Sequence, residues 1–512
     1  MTKRLFAPAL LSAALVGLPL VADAQDQLIR ILTSFKIDSM DPDSEGFWMQ
    51  EFGVAELLME FQPDGSIAPW LAKSLTQVDD LTWVIALNEG VTFHNGRALD
   101  AAAVMEVIDY RRANSSGVQG VVPEATVFEA TGPLEITVRS AAPLPELPNI
   151  LAHESYFLIY DLPTVTAAGG DWETLEGAGI YTGPYEVEDL NDEQLVATRN
   201  DDYWRGAPAM PGVTVGFVGD INARALAIQN DEADIALYPQ VSAKPVYDAT
   251  PNVNLALGPI SAGGFVGYMN TAEGPLTDVA VRQAVMKAQN YAEIAGAVFR
   301  GATAEAVGLY TETFPWAVAN YEFDAAEAAS LLDAAGWTLE GDTRMKDGEP
   351  LSLTLVIYPQ QPDLVPLSNA MQAYLRDIGV ASDIVSVDSV NDALKAGSLD
   401  WDIALLSNGT ATVGAVQGFL ARYVLTGGDR NYASYSNAEI DALAEELNAT
   451  ADTGRRYEIL AEIQRILVED DPYVFNLTMH RERALASDAW STYVPGVAWR
   501  HIGWQTRPDA LK

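Results

Sequence analysis

The spacing of apolar residues changes several times along the first half of the chain. Residues 28–33 read Leu-Ile-Arg-Ile-Leu-Thr and predict a short strand, whereas the apolar residues of 52–61 predict a helix. Residues 65–177 then show short strand patterns on both sides of a helix that begins at the capping residue Asp100. This stretch is predicted to form a smaller inserted subdomain.

Two helices are predicted near the start of the second half. The first begins at Asp278 and is expected to continue to Arg300. The second begins at Asp324, which has Glu327 three residues later in the spacing of a capping box, and it ends at Gly336.

Strands and helices alternate most clearly after these helices. Strands are predicted at residues 351–357, 380–387 and 402–406, with a helix at 364–378 between the first two. These short spacings predict right-handed βαβ crossovers in a mainly parallel sheet.

The last third is predicted to cover this sheet and then to leave it. Two amphipathic helices, capped near Asn437 and Thr453, have apolar faces that would pack on the sheet. After Pro472, residues 473–478 have strand-like composition and are predicted to cross back to the first half.

Residues 1–24 have the pattern of a secretory signal peptide. A basic start precedes an apolar stretch, and a small-x-small site at residues 22–24 precedes Gln25. The chain has 0 cysteines, which excludes a disulfide scaffold and a lipid anchor on a cleavage-site cysteine. We therefore expect a soluble periplasmic protein without a lipid anchor.

Charge excludes one class of partner. The chain has 71 acidic and 30 basic side chains and a formal net charge of −41. Nucleic acid is excluded, because each neutralised phosphate needs a Lys or Arg. The acidic surface favours cationic ligands, and it equally serves solubility.

Patterns of enzymatic chemistry are missing from the sequence. The 4 histidines are His94, His153, His480 and His501, and no two have the spacing of a zinc site. No nucleophile elbow, phosphate-binding loop or dinucleotide fingerprint is present, so no cofactor and no metal site are predicted. The 11 tryptophans and 20 tyrosines suit the lining of a ligand cavity, although most are expected in the core.

One segment resembles a known family. Within residues 84–112, positions 87–96 read Leu-Asn-Glu-Gly-Val-Thr-Phe-His-Asn-Gly and lead to the helix at Asp100. This segment resembles the signature of the bacterial extracellular solute-binding proteins of family 5, in which His94 would be a structural turn residue. Further motifs match in order, at residues 183–185, 200–206, 278–282, 324–337, 435–441 and 469–472.

The resemblance implies an α/β fold of the two-lobed periplasmic binding protein type (type II), with mixed sheets, flanking helices and an inserted subdomain. Lobe I would comprise residues 25–64, 178–264 and 476–512 with the inserted subdomain 65–177, and lobe II would comprise 265–475. It implies a monomer that traps a small solute by hinge closure and delivers it to the permease subunits of an ABC importer.

The family includes dipeptide, oligopeptide and nickel-complex binders. Its peptide binders place an acidic residue before an Asp-Pro-x-x-Phe stretch, where it pairs with the free amine of the peptide. The comparable positions here are Thr412 and Ala415, and neither can neutralise an ammonium group. An ordinary dipeptide is thus disfavoured unless another carboxylate substitutes, and residues 33–42 are more similar to the nickel-binding branch.

The candidate cavity residues flank the expected hinge or follow strands: they are Trp48, Tyr268, Asn270, Trp401, Arg422 and Tyr423. Arg111, Arg112 and Arg422 are either anchors for an anionic ligand or surface arginines. Two other functions stay open, a secreted hydrolase of peptides or glycans and a binding protein coupled to a chemoreceptor.

Overall fold

A ten-stranded sheet forms the backbone of the molecule. The computed structural model describes residues 27–397, 399–498 and 500–512, so the predicted signal peptide at 1–24 lies outside the described residues. The strands of this sheet are, in spatial order, Ala381–Ser386, Ser352–Ile357, Ile403–Gly409, Asn254–Met269, Val474–Ala486, Ile235–Leu237, Ile29–Thr33, Gly212–Phe217, Gln194–Arg199 and Tyr185–Leu190.

Two long strands, Asn254–Met269 and Val474–Ala486, join two halves of this sheet. The first half-sheet contains Ile29–Thr33, which pairs in parallel with Gly212–Phe217 and Ile235–Leu237. The second half-sheet contains the three other strands on the far side of Asn254–Met269.

The βαβ prediction for the second half-sheet is confirmed. Ser352–Ile357 pairs in parallel with both Ala381–Ser386 and Ile403–Gly409. The sheet as a whole is mixed, because Ile403–Gly409 runs antiparallel to the long strand Asn254–Met269.

Smaller sheets lie outside the large one. A four-stranded antiparallel sheet falls within residues 65–177 and has its own apolar core, which includes Ile85, Val104 and Val138. Its strands are Ala72–Asp79, Thr82–Leu87, Glu135–Arg139 and Val127–Gly132. The remaining strands are Met59–Phe61 with Ile67–Pro69, and the hairpin group Thr338–Glu340, Thr343–Lys346 and Glu349–Pro350.

Helices cover both faces of these sheets. The α-helices of the described residues are Gly46–Glu51, Ala101–Asn114, Ser116–Val121, Leu147–Leu151, Glu154–Phe157, Leu162–Ala167, Ile221–Gln229, Lys244–Ala249, Val279–Ala288, Tyr291–Glu293, Ala325–Ala334, Leu364–Asp377, Val390–Lys395, Gln417–Phe419, Ala438–Ala449 and Thr453–Arg465. Single π-helical turns occur at Ile294–Val298, Leu420–Val424 and Ile466–Asp470. In the part of the chain that the structure describes, none of the helices has the length and apolar character needed to span a bilayer.

The helix predicted for residues 52–61 is wrong. The helix lies just before it, at Gly46–Glu51, and Gly53 then takes a positive φ of 73°. Residues 51–59 are all buried, because the chain passes here from the core of the first half-sheet to the core of the inserted sheet. Burial on every side gives an apolar run without a helical face.

The helix predicted from Asp278 to Arg300 is interrupted. It begins after the cap Asp278 but ends at Ala288. The side chain of Asn290 then accepts a hydrogen bond from Glu293 N and begins a separate turn. A competing cap inside the apolar pattern therefore divided the helix.

Other helix starts agree closely with the sequence. Asp324 accepts from Glu327 N at 2.8 Å, as the capping box requires, and Asn437 caps Ala438–Ala449. The cap of Thr453–Arg465 is Asp452, one residue before the predicted one. Both of the last helices pack on the second half-sheet through Ile440, Leu447, Ile459 and Ile463.

Candidate ligand-binding seam

The two long strands lose part of their cover near their middle. Residues 259–262 of one and 481–483 of the other are consecutively half-buried, whereas most residues on either side of 481–483 are fully buried. The pairing of the strands shifts register on both sides of Ile260, as it does at β-bulges. We call this region the seam, and it is where the regular pairing of the two long strands is interrupted between the two half-sheets.

Strands from both half-sheets end at the seam. Leu237 pairs with Ala484, so the strand Ile235–Leu237 has its carboxyl end beside residue 483. Gly409 pairs with Gly263, so the strand Ile403–Gly409 ends beside residue 262. Ligands of open α/β sheets bind outside the carboxyl ends of the strands. The seam meets this rule from both sides.

An aromatic group lies on the first side of the seam. The ring centroid of Phe35 is 5.1 Å from that of Trp48 and 5.2 Å from that of Tyr238. Trp48 is 5% exposed but Phe35 is 49% exposed, so the group presents an apolar aromatic surface to the outside of the core. Tyr238 follows the strand Ile235–Leu237 directly and has a positive φ of 54°.

Two carboxylates lie next to this aromatic group. Glu51 is fully buried and accepts a hydrogen bond from Tyr238 Oη at 2.9 Å. Burial raises the pKa of Glu51 to about 8 and that of Glu482 to about 7, although the nearby charge of Arg483 lowers the latter. His501 points its Nδ1 at Glu51 Oε1 from 3.7 Å, and burial lowers the pKa of this imidazole to about 4.

The backbone is pressed close to Glu482. A Cβ added to Gly258 would lie 2.9 Å from Glu482 Cβ and 2.4 Å from the carbonyl oxygen of Pro495. Only glycine therefore fits between the long strand and the C-terminal segment that contains Pro495. This segment continues to Ala498, whose carbonyl accepts a hydrogen bond from Gln50 Nε2.

The second side of the seam is polar. Ser407 Oγ and His480 Nε2 are 2.9 Å apart, and Ser407 N donates to Tyr358 Oη. Burial lowers the pKa of His480 well below its usual value, so the imidazole is neutral. Its Nδ1 is buried and has no hydrogen-bond partner in the structure.

Contacts from the inserted subdomain reach the second half-sheet beyond the seam. Asn149 Nδ2 donates to Val413 O at 2.7 Å, and Gln417 Nε2 donates to Glu146 Oε1 at 2.7 Å. Arg456 forms an ion pair with the same carboxylate, Glu146. These contacts join the inserted subdomain to the second half of the molecule.

Trp48 is the predicted cavity residue that lies at the seam. Tyr268, Trp401 and Tyr423 lie together elsewhere, around a cavity of about 10 Å³ inside the core of the second half-sheet, which has room for about one water molecule. Asn270 donates to the carbonyl oxygen of Trp401. It follows Met269, six residues along the strand from Gly263, and so lies about 20 Å from the seam.

The arginines predicted as ligand anchors form ion pairs or hydrogen bonds with other residues of the protein. Arg111 is 2% exposed, pairs with Asp43 at 2.5 Å and donates to the carbonyl oxygen of Ser155. Arg112 donates to a backbone carbonyl and lies over the ring of Phe128. Arg422 is half exposed and lies 3.3 Å from Asp429.

His94 has the structural role predicted for it. Its Nε2 is 2.8 Å from the carbonyl oxygen of Gly183, and burial lowers its pKa to about 4. His153 stacks on Tyr156 with ring centroids 4.4 Å apart and caps the helix Glu154–Phe157.

Sequence reasoning missed Glu51, Tyr238, Glu482 and His501. One signal was available, because residues 480–483 read His-Arg-Glu-Arg inside a strand that is otherwise largely apolar. Such a run is costly to bury and therefore suggests function. The positive φ of Tyr238 left no signal in the sequence. In the described residues, no group of three or more acidic or histidine side chains is placed to hold a metal ion.

Comparison with known proteins identifies the family of the chain. The family model of bacterial extracellular solute-binding proteins, family 5 Middle, matches residues 66–431. The nickel-binding protein NikA of Staphylococcus aureus (strain NCTC 8325 / PS 47) is 27% identical over 425 residues, which are 82% of this chain and 82% of that protein. The glutathione-binding protein GsiB of Salmonella paratyphi A (strain ATCC 9150 / SARB42) is 24% identical over 487 residues, 91% of each chain.

The fold is also shared with solved structures. The structure of a nickel ABC transporter protein from Bacillus halodurans superposes with a TM-score of 0.77 at 25% identity, covering 94% of this chain and 99% of that one. The chain thus has the fold of a two-lobed type II periplasmic binding protein. The chain belongs to the bacterial extracellular solute-binding proteins of family 5, the solute-binding components of ABC importers.

Proposed function

We propose that the chain captures a small solute at the seam and delivers it to the permease subunits of an ABC importer. One observation carries this proposal: strands of both lobes end at a bulged connection, where an aromatic group and half-buried charged residues meet. The two lobes would open and close by bending the long strands at Ile260, and the protein would act as a periplasmic monomer.

The proposal includes a division of the chain into lobes. Lobe I consists of residues 25–64, 178–264 and 476–512 with the inserted subdomain 65–177, and lobe II consists of 265–475. Both proposed changes of lobe fall inside the two long strands, which are the connections that cross between the half-sheets.

The relatives support a solute of the peptide or nickel-complex class. One is named for nickel binding and another for glutathione binding. Both ligand types are small and polar, and both fit a site between two lobes that recognises its ligand by charge and shape. No catalytic step is part of this proposal.

The test is binding by the purified mature protein. Isothermal titration calorimetry with glutathione, a dipeptide and nickel with excess histidine is expected to detect at least one ligand, and small-angle scattering is expected to show a more compact particle with it. Trp48→Ala should weaken that binding at least tenfold, because it removes a ring of the aromatic group at the seam. Trp337→Ala is the matched control, since Trp337 lies beside Lys346 in the outer hairpin of lobe II.

Two results would contradict the proposal. One is the absence of binding for every ligand of the set. The other is equal loss of affinity in both tryptophan variants at unchanged thermal stability, which would place the site away from the seam.

A further inference from the structure

The carboxylates of Glu51 and Glu482 beside the seam have more acceptor oxygens than the neighbouring side chains have donors. Glu51 accepts from Tyr238 at 2.9 and 3.2 Å, and these are the hydrogen bonds that its carboxylate makes with described residues. Glu482 takes part in none of the side-chain hydrogen bonds or ion pairs of residues 27–397, 399–498 and 500–512, and its Cβ lies where a side chain at Gly258 would clash. The hydroxyl of Tyr238 thus serves Glu51 and leaves Glu482 without a donor among these residues.

Unpartnered buried atoms at the same place provide an independent observation. Gln50 is 3% exposed, its Nε2 donates to Ala498, and its Oε1 is buried without any partner. His501 is 5% exposed, and its Nδ1 points at Glu51 from 3.7 Å without a hydrogen bond. Buried polar atoms are nearly always partnered in folded proteins, so these two atoms have hydrogen-bonding capacity that a bound ligand can use.

Few protein cations face this group. Arg483 is the nearest, but it is next to Glu482 on a strand, where consecutive side chains point to opposite faces. Its Nε is itself buried without a hydrogen bond, and it contacts no carboxylate of the described residues at ion-pair distance. The other titratable groups near the two carboxylates are Tyr238, Tyr493 and His501, and burial keeps all three neutral.

The flanking rings favour the same ligand chemistry. Trp48 and Tyr238 have ring centroids 6.1 Å apart with planes at 84°, and Phe35 lies against both. Aromatic faces attract organic cations, and the attraction strengthens when water is excluded. Carboxylates beside aromatic faces form a site for a cationic nitrogen.

We propose that Glu51, Glu482 and Gln50 bind a positively charged nitrogen group of the solute, such as a free ammonium, against the aromatic group of Trp48. This inference rests on the proposed function and names the ligand class of the same site. It assigns the amine to lobe I and the crossing strand, and so replaces the acidic residue that positions 412 and 415 of lobe II lack.

Matched ligand pairs test the proposal. Alanyl-alanine and glutathione would each be compared with the N-acetylated form, which keeps the rest of the molecule but removes the ammonium. We expect calorimetry to give at least tenfold weaker binding for the acetylated member of each bound pair, since a charge-assisted hydrogen bond is lost.

Variants then locate the effect. Glu482→Gln should reduce affinity for the amine-containing ligand about ten- to a hundredfold and leave the acetylated form unchanged. Glu51 is fully buried and Glu482 is half-buried, and the amide that replaces either one has nearly the same shape, so both variants are expected to fold. Glu129→Gln is the matched control, because Glu129 pairs with Arg139 on the inserted sheet.

The outcomes separate the two proposals. If wild-type protein binds neither member of either pair, nor nickel with histidine, the solute-binding site itself is contradicted. If it binds both members of a pair equally, or if Glu482→Gln and Glu51→Gln leave amine binding unchanged, the cation site is overturned while solute binding stands.

Discussion

Glu56 shows how a single buried carboxylate is held when the protein itself supplies the donors. It accepts hydrogen bonds from Trp70 Nε1 at 2.8 Å, Tyr203 Oη at 2.7 Å and Trp204 Nε1 at 3.2 Å. Desolvation still raises its pKa to about 7, which these hydrogen bonds oppose. Glu56 joins residues 51–59 to Trp70 of the inserted subdomain and to Tyr203 and Trp204 of lobe I, so its role is structural.

We expect Glu56→Ala to lower the free energy of unfolding by about 3 kcal/mol or more, because three buried donors lose their acceptor. Glu56→Gln should cost less, since one amide oxygen remains. Urea unfolding followed by tryptophan fluorescence measures both. Equal stability of wild type and Glu56→Ala would show that water replaces the carboxylate without loss.

Glu51 differs, because its donors are incomplete, and its stability effect should depend on pH. Its pKa is raised from 4.5 to about 8, so the folded state binds this proton more tightly than the unfolded state. Its contribution to stability is fully present below pH 4.5 and is lost as pH rises through about 8, by up to about 5 kcal/mol.

The measurement is thermal or urea unfolding of ligand-free protein from pH 5 to 9. Glu51→Gln should remove much of the decline at the alkaline end, and Glu129→Gln should leave it unchanged. A pH profile that is the same in wild type and Glu51→Gln would contradict the raised pKa.

At the scale of elements, the contacts around Glu146 join the inserted subdomain to lobe II, and we expect them to stabilise a closed form. Glu146 lies before the helix Leu147–Leu151 of the inserted subdomain, and its carboxylate meets both Gln417 and Arg456 of lobe II. Desolvation lowers the pKa of Arg456 to about 10, so the guanidinium stays charged at neutral pH. The ion pair forms only when the lobes meet, since its partners belong to different halves of the molecule.

We therefore expect the closed complex of the Glu146→Gln variant to open more often than that of the wild type. The dissociation rate of the bound solute should rise several-fold while the association rate changes little, because the pair forms after encounter. Stopped-flow tryptophan fluorescence resolves the two rates, with Glu129→Gln as control. An unchanged dissociation rate would show that closure does not depend on this pair.

The elements were predictable where one physical cause acted alone. The caps at Asp324 and Asn437 and the parallel strands of lobe II follow from local spacing, and the structure agrees. The prediction of a helix at 52–61 was wrong because a segment that is buried on every side has apolar residues at helical spacing without forming a helix. The prediction of one continuous helix through Gln289 was wrong because Asn290 provides a second cap.

The seam was harder to predict than the elements that form it. Trp48 was predicted as a cavity residue and lies at the seam, whereas Asn270 and Trp401, predicted from their position near strand termini, lie in the second half-sheet away from it. Asn270 is near the carboxyl end of a long strand, but that end points away from the seam. Which end of a strand faces the other lobe depends on pairing between distant segments, and local spacing does not contain that information.

At the scale of the whole molecule, the charge of −41 acts on any cationic solute before contact. A field of one sign raises the encounter rate of oppositely charged ligands, and salt screens this field beyond a Debye length of about 8 Å at physiological ionic strength. A cationic solute attracted by this field would meet the two carboxylates at the seam. The field and the proposed site therefore favour the same class of ligand, one with a positive charge.

The association rate of alanyl-alanine amide, which keeps the ammonium and has no carboxylate, should therefore fall as ionic strength increases from 20 to about 500 mM, by a few-fold for a single positive charge. N-acetyl-alanyl-alanine amide, which is uncharged, should show no such fall and serves as the control in the same stopped-flow experiment. Glu482→Gln should keep the salt dependence of association, because it removes one charge of many, yet release the ligand faster. If instead the variant lost the salt dependence and kept the dissociation rate, Glu482 would guide the solute inward without holding it, and the cation would be bound elsewhere.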